Sequence, residues 1–175
     1  VDLASFMRLD GEETALKNSL FRRLCRSIEW LEDETLSAHQ LAERAGITLD
    51  NNPVHKALVK EFAALLAKPQ IKKLFSSPNS VESKVHHDLP FAFRRESSIV
   101  SGTLARLVIR YEASKAVAAD IVEFDLEEER CEDALATRLA ARRVQLETYR
   151  EAAAHFSGLP EKAVSVTLAC LGAGQ

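Results

Sequence analysis

The hydrophobic pattern of this chain changes period near residue 80, and that change limits the fold more than any other feature. Before it, apolar residues recur every three or four positions. Leu16, Leu20, Leu24, Ile28 and Leu31 form one stripe with Trp30 beside it, and Val54, Leu58, Phe62 and Leu65 form another, which is the spacing of amphipathic helices. After it, Val85 to Phe93 and Ile99 to Tyr111 are rich in β-branched and aromatic residues, and the polar Arg94-Arg-Glu-Ser-Ser98 between them suits a hairpin. Ala116 to Phe124 is a third strand candidate. One long helix is predicted from about Glu127 to Phe156, its stripe carried by Cys131, Leu135, Leu139, Leu146, Tyr149, Ala153 and Phe156. Gly158 and Pro160 stop it, and Val164, Val166, Leu168 and Cys170 alternate as a final strand. The predicted order is therefore helices, then strand, strand, strand, helix, strand. That is an α+β chain with an N-terminal helical part over residues 1–80 and an α/β core over 81–175.

Local punctuation sharpens the helical part. Ser37 is a candidate N-cap and Gly46 a stop signal for a short helix between them. Asp50-Asn-Asn-Pro53 breaks the chain before the Val54 stripe, Pro69 ends or reprimes that helix, and Ile71 to Phe75 continue as a short helix. Ser76-Ser-Pro-Asn-Ser80 reads as a loop.

Composition bounds the function. A length of 175 residues and 46% hydrophobic content suit one domain or a domain with a helical annex. A net charge of -3 gives no global basic signal, so any nucleic-acid contact has to come from a local patch. Cys25, Cys131 and Cys170 are odd in number and widely spaced, which argues against a disulfide framework, a zinc site or an iron–sulfur cluster and fits a reducing, cytoplasmic setting. No apolar run approaches the roughly 18 residues of a membrane span, so no membrane partner is expected. Position 1 is Val, from which we expect a piece of a longer protein.

His87-Asp-Leu-Pro-Phe91, Gly102-Thr-Leu-Ala105, Glu123-Phe-Asp125 and Gln145-Leu-Glu-Thr-Tyr149 follow one another in an order that resembles the nuclease domain of the RecB/AddA type, a branch of the PD-(D/E)XK superfamily. That family has a helical start carrying a histidine, a strand reading roughly Arg-Glu-x-Pro-Phe, and a strand with Gly-x-x-Asp. A strand with Asp-Tyr/Phe-Lys and a helix with Gln-x-x-x-Tyr follow. The resemblance implies a mixed β-sheet flanked by helices. It assigns Asp88 to the Glu position, Ala105 to the metal-binding Asp, Glu123 to the second Asp, Asp125 to the Lys, and Gln145 and Tyr149 to the helical motif. Counting back from Ile28-Glu-Trp30, Arg22 falls where the histidine stands.

The departures bear on the chemistry. Metal-assisted phosphodiester cleavage needs carboxylates that hold a divalent ion, which activates water and stabilises charge building on phosphate. Ala105 supplies no ligand, and Asp125 is negative where the family has a positive charge. Losing one preorganised electrostatic group commonly slows a reaction by on the order of 100-fold or more, so the resemblance implies a nuclease fold without efficient cleavage. It further implies a parent protein with an upstream UvrD/Rep-like, ATP-dependent DNA helicase that processes double-strand breaks for recombination. In that setting this domain binds DNA or braces the helicase or a partner subunit. The chain contains no Gly-x-x-x-x-Gly-Lys-Ser/Thr loop, so ATP would belong to the parent and not to this part.

Other candidates are weighed beside it. Glu123 and Asp125 lie two apart on one strand side and form a candidate pair for Mg2+ should residual activity exist; the plainer reading is a solvated acidic strand end running into Asp125-Leu-Glu-Glu-Glu-Arg130. His86, His87 and Asp88 are adjacent in a strand, so the two imidazoles face opposite ways and suit a structural or surface role better than a metal site. Ser98 and Ser101 have nothing to fix a base or oxyanion donors around them. Arg138, Arg142 and Arg143 cluster on the long helix away from its stripe and are the candidate DNA contacts, although interleaved Glu132, Asp133 and Glu147 favour an ordinary charged face. Two alternatives remain open: a weakly active metal-dependent DNA exonuclease, and a helix-turn-helix DNA-binding module at Leu41-Ala-Glu-Arg-Ala-Gly-Ile47 with Lys56 and Lys60 on the following helix.

Overall fold

The computed structural model describes residues 3–32, 35–78, 81–125 and 132–171. The chain divides into two compact units, Val1–Ser76 and Ser77–Gln175, four residues earlier than the sequence boundary.

The first unit holds α1 (Leu3–Arg26), α2 (Ala38–Arg44), α3 (Pro53–Leu66) and α4 (Pro69–Leu74). Its helix ends follow local chemistry. Ser37 caps α2 in a full capping box with Gln40, and Gly46 ends it at φ 62. The Gly46 N–H donates to Glu43 and the Ile47 N–H to Ala42, so the loop returns through a left-handed glycine. Asn52 caps α3 by accepting from the His55 N–H, with Pro53 in the first turn where its missing donor costs nothing. The core contains Phe21 and Phe62, whose rings meet edge to face at 5.3 Å, and Leu24, Leu41, Leu58, Val59 and Phe75 are buried as well. Burying each such side chain is worth roughly 1.5–3 kcal/mol.

One expectation changes here. The stripe from Leu16 to Leu31 does not belong to a single helix: α1 ends at Arg26, Leu16 is exposed, and Ile28 and Leu31 are buried beyond the helix end. The Ser27 hydroxyl donates to the Leu24 carbonyl and the Leu31 N–H to the Phe75 carbonyl, so the chain leaves the helix while keeping both side chains in the core.

The second unit holds β1 (Glu82–Arg95), β2 (Ser98–Glu112), β3 (Lys115–Asp125), α5 (Glu132–Ser157) and β4 (Val164–Cys170), with a short 3-10 turn at Glu161–Ala163. The sheet order is β1-β2-β3-β4; the first three strands form an antiparallel meander and β4 runs parallel to β3. The fold is thus α+β with a four-stranded mixed sheet. A parallel neighbour for β3 needs a crossover, and α5 provides it. Glu96 at φ 53 turns the first hairpin, while Ala113 and Ser114 at φ 47 and 63 make the paired left-handed turn that matches strand twist in the second. Leu104, Leu107, Ile109, Ala119, Ile121 and Val164 pack with Ala153 and Ala154 of α5 as the core of this unit. Leu135, Leu139 and Cys131 of the predicted stripe lie outside the residues whose side chains are described, and Phe156 is 51% exposed.

Candidate functional site

Two of the expected site positions, Ala105 and Glu123, meet where two strands part. The β1–β2 ladder runs from Glu82↔Tyr111 to Arg95↔Ser98, but β2 pairs with β3 only from Arg106↔Val122 onward to the second hairpin. The next position outward along that second ladder is Ala105 opposite Glu123. There the Ala105 N–H donates to Glu123 Oε1 at 3.0 Å, so a side-chain carboxylate takes the hydrogen that a strand carbonyl would take in a continuing ladder.

The alternation of the strands also breaks at this position. On β1, His86 touches Phe156 of α5, yet Phe91 and Phe93 also touch α5, through Tyr149 and His155. Even- and odd-numbered residues reach one face only if the alternation switches between them, and Asp88, at φ 46, lies between. On β2 the switch falls between Leu104 and Leu107, both in the α5 core. Asp88 and Ala105 therefore mark one break that crosses both strands. Asp is among the few non-glycine residues that adopt a left-handed backbone readily.

Asp125 corrects the sequence reading. The solvated acidic strand end does not hold: Asp125 is 1% exposed and Glu123 is half-buried. The Asp125 carboxylate faces the Arg142 guanidinium across 3.9 Å, and its backbone carbonyl accepts from the Leu171 N–H. Arg142 therefore leaves the proposed surface trio and turns toward the sheet. The helical spacing held this signal: Arg142, Gln145 and Tyr149 are three and seven apart, which is one face of a helix. Gln145 Nε2 donates to the Tyr149 hydroxyl at 2.7 Å, and the Tyr149 ring meets Phe91 edge to face at 5.8 Å. Phe91 in turn covers Gly102, where an added Cβ would stand 2.7 Å from the ring.

The remaining candidates separate. Arg143 is exposed and pairs with Glu147 on its own helix at 3.3 Å, and the Arg138 side chain lies outside the described residues. Arg22 is an exposed residue of α1 in the first unit. His86 turns to Phe156, and His87 sits opposite Arg106 in the ladder. Ser98 and Ser101 are exposed on the β2 arm. The helix-turn-helix geometry is not formed, because residues 45–52 separate α2 from α3 where that motif has a turn of about three or four residues. Lys56 and Lys60 are exposed on α3. Hydrophobic patterning gave no sign of Arg106, a fully buried cation on β2.

The donor set does not suit Mg2+. The Ala105 side chain offers no oxygen, one Glu123 oxygen receives a backbone N–H, and Asp125 faces a guanidinium, whereas a hard divalent ion needs several converging oxygens. Among the described residues, no three His, Cys, Asp or Glu converge as metal ligands. No described helix is long and apolar enough to cross a membrane. No protein-family model matches the chain, and no curated protein sequence matches it.

Proposed function

We propose that this chain is a nuclease-like domain of the RecB/AddA type that has lost phosphodiester cleavage. It serves DNA binding or scaffolding beside a UvrD/Rep-type helicase in cytoplasmic double-strand-break repair and recombination. The observation that carries the reading is the meeting of Ala105 and Glu123 at the point where β2 and β3 separate, two motif positions that are distant in sequence and joined by a 3.0 Å hydrogen bond. The strand, strand, strand, helix, strand order and the parallel β3–β4 pair agree with it. The loss of cleavage follows from the chemistry of that point. One half-buried carboxylate remains, and the position of the activating lysine carries a buried Asp125 turned to Arg142.

The test is an assay of the purified chain with linear single- and double-stranded DNA in Mg2+ or Mn2+, together with fluorescence anisotropy over a salt series. We expect no cleavage above a metal-only blank, and binding that weakens as salt rises because contacts to phosphate release counterions. Cleavage that disappears in Glu123→Ala would make the domain an active exonuclease. Absence of DNA binding together with an upstream reading frame lacking helicase motifs would remove the assignment.

A further inference from the structure

We infer that the outer edge of β2 from Ser98 to Leu104 is a self-pairing surface, on which a second copy of this chain adds its own β2 edge antiparallel about Ser101. The inference stands on the strand edge alone and does not depend on the function proposed above.

Beyond Arg106 toward the hairpin tip, β2 has no strand on its β3 side among the described residues, although β1 pairs with it through to Arg95↔Ser98. Arg95↔Ser98 flanks the two-residue turn of the first hairpin, so the Ser98 backbone groups point toward β1, and in an antiparallel ladder the opposite, outward direction belongs to every second residue from Ile99. Ile99, Ser101 and Thr103 therefore carry their backbone donors and acceptors on the open edge. All three are exposed, Ile99 at 80%.

Among the described residues the other edges are protected and this one is not. The β1 edge carries Lys84, Asp88 with its left-handed backbone, Pro90 and Arg94, which are the usual obstacles to a further strand. β4 is only seven residues long. From Ser98 to Ala105 there is no charge and no proline.

The sequence of the edge fits itself. A two-fold axis at Ser101 sets Ile99 of one copy opposite Thr103 of the other and Ser101 opposite Ser101, so that outward backbone groups meet outward groups in about six hydrogen bonds. No like charges face each other. β-branched residues and paired hydroxyls are favourable cross-strand neighbours. On the other side of the ribbon, Val100 of one copy falls beside Gly102 of the other, where Phe91 lies over the missing side chain and extends an apolar surface. A single shared surface with a closing two-fold gives a dimer rather than a fibre.

The register makes the experiment specific. Opposite residues in a hydrogen-bonded pair have Cα atoms about 5.5 Å apart, a spacing that a disulfide spans. Under mild oxidation the full chain with Ser101→Cys should form a covalent dimer that neither wild type nor Ile99→Cys forms, because position 99 does not meet its own copy. By sedimentation, wild type should be dimeric at tens of micromolar, and Ser101→Lys, which opposes two charges on the axis, should weaken the dimer at least tenfold. Mixing Ser101→Lys with Ser101→Glu should restore it. A wild type that stays monomeric throughout, or cross-linking of Ile99→Cys as efficient as that of Ser101→Cys, would overturn the inference.

Discussion

Arg142 reaches from α5 to within 3.9 Å of Asp125, a carboxylate with 1% of its side chain exposed against 29% for the arginine. The asymmetry matters because a carboxylate shut from water depends on nearby positive charge and donors, whereas a guanidinium at the rim still reaches solvent. In this pair the helix supplies the cation and the strand supplies the anion.

Removing each partner should therefore have unequal effects. Arg142→Met leaves a buried negative charge with less compensation and should destabilise the domain by about 2 kcal/mol or more, while Asp125→Asn should cost less. The double variant should recover part of the Arg142→Met loss. Urea unfolding followed by circular dichroism measures all three, and strictly additive effects would mean that the two groups do not interact.

Gly102 gives a second, purely steric prediction. A methyl at this position meets the Phe91 ring at 2.7 Å, and that ring is held by Tyr149 and stacked on Phe93. Gly102→Ala should cost roughly 1–3 kcal/mol, as overpacking does. Phe91→Leu removes the obstructing ring atoms, so Gly102→Ala should cost clearly less in that background. Equal costs in both backgrounds, read from denaturation midpoints, would sink the packing argument.

These residues also mark what the sequence reveals and what it conceals. Ser37, Gly46, Asn52 and Pro53 announce helix ends because capping is chemistry between near neighbours. Element order was legible for the same reason, since each period is a local pattern. The break in alternation at Asp88 and Ala105 was not, because reading a strand by alternation assumes that the alternation never slips. Asp125 misleads because a run of acids is usually solvated, and only the tertiary arrangement of α5 over β3 makes this carboxylate interior. Arg142 was recoverable from its spacing to Gln145 and Tyr149. Ile28 and Leu31 mislead in the opposite sense: their burial continues the helical stripe after the helix has ended.

If the corner at Ala105, Glu123 and Asp125 descends from a nuclease centre, restoring its charges should restore chemistry. Ala105→Asp introduces a second carboxylate directly across the ladder from Glu123. Asp125→Lys returns the positive group, but alone it would press a buried ammonium against Arg142, so Arg142→Gln has to accompany it. The triple variant should cleave linear single-stranded DNA in Mn2+ at least ~100-fold faster than the wild-type background, the scale on which single electrostatic groups act in catalysis. Addition of Glu123→Ala should abolish the gain, since one carboxylate cannot hold the ion and position water together. Circular dichroism establishes that each variant is folded, and calorimetry establishes whether Mn2+ binds. A folded, Mn2+-binding triple variant without cleavage would show that this corner is not a nuclease centre, whatever the order of the strands around it.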